Sequence, residues 1–401
     1  MIDSGDTAWL LTATLLVMLM ILPGLALFYG GLVRAKNLLS VMSQVMGVAA
    51  LVMILWVLWG YSLAFSGEGA LVGNLELAGL VGLGPEDTSG SIPTLLFAAF
   101  QMTFAAITAA LIVGAVVERM RFSAILAFAA LFLTFVYAPI AHMVWAEGGI
   151  ILGMDAIDFA GGTVVHINAG IAGLVAVAFV GKRRGFLKDA MPPHSLALVL
   201  VGTGLLWVGW FGFNAGSALG AGGLAALAMM NTFIAPAAGV LAWMAAERLR
   251  SGKASLLGGA SGAVAGLVAI TPAAGISGPL GALLLGSVSA LACYGFVAVA
   301  KHKLKLDDSL DVFGIHGLGG LVGSVGLVFA GLPALGGQGG YDFLPQLWVQ
   351  LLSVLIAVGW SGVGSALILF AIRAVMPLRV EEEDERLGLD LAEHGERAYN
   401  S

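Results

Sequence analysis

The sequence predicts an all-α polytopic membrane protein with eleven transmembrane helices. Hydrophobic residues make up 59% of the 401 residues and charged residues only 10%, whereas soluble domains carry about 25% charged residues. Apolar stretches long enough to cross a bilayer occur eleven times, and the basic residues lie in every second loop between them. These observations exclude a soluble protein and predict a bundle of membrane-spanning helices.

The predicted helices follow one another along the chain as long apolar runs. The eighth is short and rich in glycine, a residue that occurs 58 times in the chain. Small residues let membrane helices approach closely where no hydrophobic effect drives them together. The predicted segments are Ala8–Val33, Val41–Phe65, Ile92–Val117, Ser123–Trp145, Phe159–Gly181, Leu196–Ala218, Leu224–Ala246, Leu256–Pro272, Gly278–Ala300, Val312–Ala330 and Leu347–Val375.

All 18 lysine and arginine residues fall on one side of this predicted bundle. They follow the odd-numbered helices, as Arg34 and Lys36 follow helix 1, whereas the loops after even-numbered helices carry acids or no charge. Because basic loops are retained in the cytoplasm, this asymmetry predicts an external N-terminus and a cytoplasmic C-terminus. The chain then divides into a transmembrane domain, residues 1–376, and a polar cytoplasmic tail, residues 377–401.

Two histidines lie inside apolar helices in the same local pattern, His-x3-Gly-x2-Gly: His166 in helix 5 and His316 in helix 10. Helices 1–5 and 6–10 contain five spans each. Since five is odd, a repeat of one set by the other is inverted in the membrane, with the transport path at the repeat interface. An ionisable residue in a membrane helix marks a pathway for a polar solute or a proton. The alternative is that each histidine only hydrogen-bonds a neighbouring helix.

Aromatic and hydroxyl residues converge at the external ends of helices 3, 4 and 6 by topology alone. A tryptophan, a phenylalanine and a hydroxyl can hold a small cation through cation–π attraction and one hydrogen bond. The alternative for a tryptophan is the interfacial aromatic belt, to which we assign Trp9, Trp56, Trp59 and Trp348. The converging residues are Phe100, Phe104, Trp145, Trp210, Phe213 and Ser217.

Asp158 opens helix 5 in the sequence Asp-Phe-Ala-Gly-Gly-Thr. As an N-cap it satisfies free amides and interacts favourably with the helix dipole, and we prefer this interpretation to direct binding of a cation. Motifs of zinc proteases, nucleotide-binding loops and serine nucleophiles are absent from the sequence. Two histidines without a third ligand make a poor zinc site. The sequence therefore predicts neither an enzyme nor a cofactor, although a membrane enzyme built on the histidine pair remains the alternative.

Five blocks of sequence, in order along the chain, resemble the ammonium transporter (Amt/Mep/Rh) family, and most closely its bacterial members. The most specific block is Asp-Phe-Ala-Gly-Gly-Thr-Val-Val-His-Ile-Asn at residues 158–168. The other blocks are residues 23–34, 141–145, 209–217 and 311–317. The tail also resembles the cytoplasmic tail of that family, so the likeness extends from end to end of the chain.

The resemblance implies a homotrimer with one pore in each subunit. It implies that Trp145, Phe104 and Ser217 recruit ammonium at the external face, with Asp158 completing this substrate site, mostly by organising it. The expected partners are ammonium or ammonia, membrane lipid and a PII-type regulatory protein at the cytoplasmic face of the inner membrane. No nucleic acid partner is expected.

The resemblance also implies that Phe104 and Phe213 are stacked gates of the pore, and we add Phe100 and Phe28 to this predicted gate. His166 and His316 then line a narrow apolar pore. An ammonium ion cannot cross such a pore intact without a large desolvation penalty, whereas ammonia can. The proton must leave before or within the constriction, and imidazoles can relay it because they take either protonation state near neutral pH.

A sensor of ammonium built on the same fold is the alternative function. Such a sensor normally needs an output module, and the 25 residues of the tail, 377–401, are too few for one. The tail carries an acidic run at residues 381–385, and opposite charge predicts that it docks under the pore and crosses to a neighbouring subunit. A free, solvated tail is the alternative. The predicted basic partners are Lys182, Arg183, Arg184, Arg248, Arg250 and Lys253.

Overall fold

Eleven helices long enough to cross a membrane occur in the computed structural model, which describes residues 1–399. They coincide with the eleven apolar runs, so the predicted number of spans is confirmed. The helices are α1 (Ser4–Leu32), α2 (Ala35–Phe65), α3 (Thr94–Val116), α4 (Phe122–Trp145), α5 (Gly162–Val180), α6 (Leu196–Gly216), α7 (Gly223–Ser251), α8 (Leu256–Ala273), α9 (Pro279–His302), α10 (Phe313–Ala330) and α11 (Phe343–Val375).

Several helices begin away from their predicted starts, and two of them do so for evident local reasons. The helix α5 begins at Gly162 rather than Phe159, because Gly161 adopts a left-handed conformation with φ of 104° and interrupts the chain there. The helix α2 begins six residues before the predicted Val41. Its first turns hold polar residues, and apolar periodicity gives no signal for a helix there. A short antiparallel hairpin, β1 (Thr88–Ser89) and β2 (Ile92–Pro93), precedes α3.

The two histidine-bearing helices start with the same distortion. The first residues of α5 and α10, Gly162–Ile167 and Phe313–Gly317, form wide π turns, a feature found frequently at functional sites. A methyl group on Gly170 would meet the backbone of Gly317, and one on Gly320 would meet the backbone of Gly162. Each of these two glycines follows a histidine by four residues. The repeated sequence pattern therefore exists because α5 and α10 contact each other backbone to backbone.

A buried network of ion pairs joins the loops that follow α1, α3, α5 and α9. Glu118 binds Arg34 and Arg183, each at 3.0 Å, and Arg183 also binds Asp307 at 2.7 Å. Burial alone would raise the pKa of Glu118, but Arg183 and Arg34 bring it below its ordinary value. These contacts place the loops after odd-numbered helices on one face of the bundle. We call it the basic face, and the opposite one the N-terminal face.

The tail packs on the basic face of its own chain. After α11 it forms two short helices, α12 (Glu382–Leu387) and α13 (Leu389–His394). Asp390 accepts a hydrogen bond from the amide of Ser40 at 2.8 Å, and Asn37 accepts one from the amide of Leu389 at 2.9 Å. The tail is thus docked on its own chain rather than free, with the start of α2 as its principal support, and its crossing to a neighbouring subunit stays a prediction.

The predicted basic partners of the tail were mostly wrong. Within residues 1–399 only Arg184 of the six bonds the tail, through Glu382 at 3.4 Å and through its own amide to Glu385 at 2.6 Å. Glu385 also pairs with Arg379 of the tail itself at 2.6 Å. Backbone amides and buried polar side chains hold the tail more than surface charge does, and charge patterning in a sequence cannot reveal such bonds.

The aromatic belt was also partly wrong. Trp56 is 1% exposed, and its indole nitrogen donates to the carbonyl of Ala98 at 3.0 Å. Trp348 is 61% exposed on α11, as a belt residue should be. Trp9 and Trp59 are half-buried and each donates a hydrogen bond within the protein. Position near a helix end therefore did not distinguish a lipid-facing tryptophan from a packed one.

Candidate functional site

Two phenylalanines from different halves of the chain close the centre of the bundle. The rings of Phe104 on α3 and Phe213 on α6 stack with centroids 4.0 Å apart and planes 14° apart. Phe100, one turn from Phe104, packs on it with ring centroids 4.9 Å apart. Phe100, Phe104 and Phe213 are all buried. The structure therefore brings three of the four predicted gate residues into one aromatic cluster.

Trp145 and Ser217 flank this cluster toward the N-terminal face. Trp145, the last residue of α4, meets Phe104 edge-on, with centroids 5.9 Å apart and planes 79° apart. Ser217 caps the end of α6, and its hydroxyl donates to the carbonyl of Phe213 at 2.8 Å. Both are half-buried, whereas Phe104 is 1% exposed. The predicted recruitment residues thus surround the boundary between solvent and the closed aromatic stack.

Asp158 holds the broken start of α5. Its Oδ1 accepts the amides of Gly161 and Gly162 at 2.9 and 2.6 Å, and its Oδ2 accepts those of Thr163 and Val164 at 2.8 and 3.3 Å. Burial raises the pKa of this carboxyl, and the amide bonds act in the opposite direction. With both oxygens engaged, the Asp158 side chain caps the first amides of α5 as the sequence favoured, but from three residues before Gly161, which occupies the N-cap position itself.

The capping residue is also tied to the aromatic cluster. The indole nitrogen of Trp145 donates to the main-chain carbonyl of Asp158 at 2.9 Å. The next amide, that of Phe159, donates to the carbonyl of Pro272 at 3.2 Å. The peptide between Asp158 and Phe159 is therefore bonded on both sides. The orientation of the Trp145 ring depends on where this peptide lies.

His166 and His316 meet in the interior of the bundle. Their Nδ1 atoms are 3.2 Å apart, and their rings stack with centroids 5.3 Å apart. They are 1% and 5% exposed. A hydrogen bond between two neutral imidazoles needs one Nδ1–H and one Nδ1 lone pair, so the two rings adopt different tautomers. Nε2 of His166 is buried without a hydrogen-bond partner in residues 1–399.

Trp210 is a site residue whose position the sequence analysis did not identify. It stacks on His166 with centroids 5.3 Å apart and planes 21° apart, and its indole nitrogen donates to the Thr271 hydroxyl at 2.8 Å. The sequence groups Trp210 with the aromatic residues at the external end of helix 6. Its contact with the site could have been predicted from its spacing, because it lies three residues before Phe213 and so shares a helix face with it.

A very small cavity of about 10 Å³ is bounded by Phe213 of the aromatic stack and by both histidines. That volume accommodates about one water-sized molecule. Phe28 belongs to the wall of this cavity and not to the Phe104–Phe213 stack. In the described part of the chain, the two imidazoles are the ionisable side chains of this wall, and the indole N–H of Trp210 is already bonded to Thr271. The lining residues are Met20, Leu25, Phe28, Ile107, Leu111, His166, Leu206, Trp210, Phe213, Val264 and His316.

The half-buried indole, the closed aromatic stack, the single-molecule cavity and the histidine pair follow one another through contacting residues. Eleven membrane helices around such a series define a polytopic transport protein for a small polar solute. The model of the Ammonium Transporter Family matches residues 8–399, and the chain belongs to this family. The predicted family is thereby confirmed.

Known proteins agree with this assignment over the whole chain. A protein from Aquifex aeolicus (strain VF5) named "Ammonium transporter" is 46% identical over 403 residues, which is 100% of this chain and 94% of the relative. A crystal structure of Mep2 from Candida albicans has a TM-score of 0.88 at 36% identity and covers 99% of this chain and 91% of that one. A solved structure named "Sensor Amt Protein" has a TM-score of 0.90 at 27% identity and covers 97% and 98%.

These similarities favour transport over the sensor alternative. The relative at 46% identity is named a transporter, whereas the sensor protein is 27% identical. The chain is an ammonium transporter and not an enzyme, because its family is one of transporters. Among residues 1–399, no three metal-ligating side chains come together.

Proposed function

We propose that ammonium is recruited on the N-terminal face, transfers its proton at the aromatic stack to the imidazoles behind it, and crosses the protein as ammonia. Trp145 presents its half-buried ring at the boundary between solvent and interior, and the buried ring of Phe104 lies directly behind it. Ring faces attract a cation by about 0.5–2 kcal/mol, and the Ser217 hydroxyl supplies an oxygen acceptor. Asp158 contributes by holding the peptide that bonds Trp145 rather than by touching the ion.

The energetics of the interior require deprotonation. Transfer of an ammonium-sized ion from water to a medium of low dielectric costs on the order of 20 kcal/mol in the idealised limit. A cation–π interaction of about 2 kcal/mol cannot offset this cost. The cavity wall has two imidazoles among mostly apolar side chains. These can hydrogen-bond one neutral molecule, but they cannot replace the water around an ion. Potassium gains the same attraction at the recruitment site but has no proton to lose, so it stops there.

In this proposal the histidine pair both relays the proton and hydrogen-bonds the ammonia. The two rings exchange tautomers when a proton binds the bare Nε2 of one ring, the shared hydrogen crosses to the other Nδ1, and a proton leaves the Nε2 of that second ring. The unpartnered Nε2 of His166 is available to a molecule in the cavity whose wall contains that ring. His166 and His316 therefore hydrogen-bond ammonia where no other polar side chain does, and they provide a path for a proton.

The observation that carries this proposal is the closed stack of Phe104 and Phe213 above a single-molecule cavity. It is tested by reconstituting the protein in liposomes and measuring ammonium-dependent current and uptake with potassium as competitor. We expect ammonium to be transported, and we expect potassium to reduce this transport only by competing for the recruitment site. Passage of potassium at a rate comparable with that of ammonium would contradict it.

The assembly and location of the protein belong to the same proposal. Family resemblance supports a homotrimer with one pore per subunit in the cell's inner membrane, and positive charge on the basic face supports a cytoplasmic location for that face. Residues 1–376 form the transport domain and residues 377–401 the tail. A PII-type protein binds the basic face, where the tail is docked. Native mass spectrometry of the purified protein, alone and with a PII protein, tests both associations.

A further inference from the structure

A buried glutamine on the last membrane helix hydrogen-bonds the backbone of the residue before Asp158. Gln350 on α11 is 1% exposed. Its Oε1 accepts the amide of Ile157 at 2.7 Å, and its Nε2 donates to the carbonyl of the same residue at 2.8 Å. One side-chain amide thus pairs with both main-chain groups of Ile157. The two hydrogen bonds resemble those between paired β-strands, but here they join a helix to a loop.

Every hydrogen-bonding group of this amide is occupied. Nε2 of Gln350 also donates to the carbonyl of Ser324 on α10 at 2.9 Å, and Oε1 accepts a bond from Gln346 at 3.2 Å. Gln346 in turn donates to the carbonyl of Asp155 at 3.1 Å. A primary amide offers two donors and two acceptor sites, so Gln350 is fully satisfied. A buried network satisfied in this way fixes one geometry.

The hydrogen bonds of Gln350 restrain the peptide directly before Asp158. Gln350 binds the carbonyl of Ile157 and so holds the peptide plane between residues 157 and 158. Trp145 binds the carbonyl of Asp158 and meets the following plane. Only the Cα of Asp158 separates the two planes. Because consecutive peptide planes move through just two dihedral angles, the position of one constrains the other, and with it the indole of Trp145.

From these contacts we infer that Gln350 is a positioning residue for ammonium recruitment, acting through Asp158 on the Trp145 ring. This inference rests on the proposed function of Trp145. Gln350 does not touch the substrate. It fixes the loop from which the recruitment ring takes its hydrogen bond, and it makes α11, which contributes no residue to the aromatic stack, a determinant of affinity. Gln346 supports Gln350 from one turn before it.

The test is the concentration dependence of ammonium current in liposomes for Gln350→Leu. We expect the half-saturation concentration to rise about threefold to tenfold, because a few buried hydrogen bonds are lost, while the maximal current per folded protein stays within about twofold. Gln350→Glu retains the acceptor for Ile157 but loses both donated bonds, so it should shift half-saturation in the same direction. This variant carries the test if the leucine variant does not fold.

Gln44→Leu is the matched control. Gln44 is 1% exposed on α2 and donates to the Ser40 hydroxyl near the basic face, remote from residues 155–158. It should leave half-saturation unchanged. In the double variant Trp145→Leu/Gln350→Leu, the two effects should combine to less than their product, since both act on one ring.

The outcomes separate this inference from the function on which it rests. If Trp145→Leu leaves half-saturation unchanged, the recruitment site itself is wrong and the inference falls with it. If Trp145→Leu raises half-saturation but neither Gln350 variant does, the inference alone is overturned. Effects that multiply in the double variant would also overturn it, because Gln350 would then act by another route.

Discussion

Nδ1 of His316 lies 3.2 Å from Nδ1 of His166, although 150 residues separate the two along the chain. The close approach follows from glycine. Gly170 faces the backbone of Gly317, and Gly320 faces that of Gly162, so the two π turns come together without intervening side chains. The histidines then contact each other inside a wall that is mostly apolar.

Replacing His166 or His316 with alanine should abolish selective ammonium uptake while leaving a folded protein. Removal of one ring takes away half of the shared hydrogen bond and the only polar contact on that side of the cavity. The measurement is ammonium uptake by liposomes, with size-exclusion chromatography as the folding control. An acidic replacement such as His166→Asp should keep conduction but lose discrimination against potassium. Wild-type uptake by the folded double-alanine variant would remove the pair from the mechanism.

Trp145→Leu should raise the half-saturation concentration for ammonium by several-fold to about 30-fold. Leucine is apolar but smaller, it offers neither a ring face nor the indole N–H that bonds Asp158, and a cation–π interaction is worth about 0.5–2 kcal/mol. The effect should be visible at low ammonium and disappear at saturation. Phe135→Leu, at an exposed ring on α4 outside the cluster, is the control. Unchanged concentration dependence would return Trp145 to the aromatic belt.

Loss of Glu118 should destabilise the protein strongly. Glu118→Ala leaves the partly buried Arg34 and Arg183 without this partner, and breaking a buried pair costs about 3–5 kcal/mol. Thermal unfolding in detergent should show a clear fall in midpoint. Glu383→Ala removes the exposed pair with Arg386 and should leave the midpoint nearly unchanged. Similar midpoints for both variants would mean that the buried network contributes little.

Asp308 should make the free energy of unfolding fall as the pH rises, which is unusual for a carboxyl group. Burial raises the pKa of Asp308 to about 7, and the nearby Asp311 adds to the shift while Lys301 opposes it. The folded state therefore binds a proton more tightly than the unfolded chain, whose carboxyl titrates near its ordinary pKa of about 3.9. Stability from this group is complete below about pH 4 and falls as the pH rises toward 7.

The Asp308→Asn variant isolates that contribution. Asparagine resembles the protonated acid and can still accept the amide of Phe313, which Asp308 accepts at 2.7 Å. Unfolding midpoints measured from pH 4 to pH 8 should therefore fall less steeply for the variant than for the wild type. Parallel curves would show that Asp308 does not titrate between the two states in this range.

Asp390→Ala should release the tail from the basic face. The carboxylate accepts the amide of Ser40 at the start of α2, and alanine cannot replace that bond. Limited trypsin digestion should cut the tail faster in the variant, at sites such as Arg386, and ammonium uptake should decrease if docking supports transport. Cutting the chain after Met376 should have the same effect on uptake. Full-rate transport by the truncated protein with retained PII binding would reduce the tail to a passive end.

The sequence by itself determined the membrane class, the number of helices and the family. Apolar runs report burial in lipid directly, and basic residues in alternate loops preserve the order of crossings. The specific run from residue 158 to residue 168 identified the family and pointed to His166. These features could be predicted because each is recorded in consecutive residues, without reference to the rest of the chain.

Tertiary structure alone decided which residues face one another. Trp210 was placed with the external aromatic residues but stacks on His166, and Trp56 was placed in the lipid belt but is buried. In place of most of the basic partners predicted for the tail, the tail bonds the amide of Ser40 and the side-chain oxygen of Asn37 in α2. Gln350 gave no signal in the sequence at all, since its partner is the backbone of a loop 193 residues away. Backbone groups are the same at every residue, so bonds to them can be assigned only once the chain is folded.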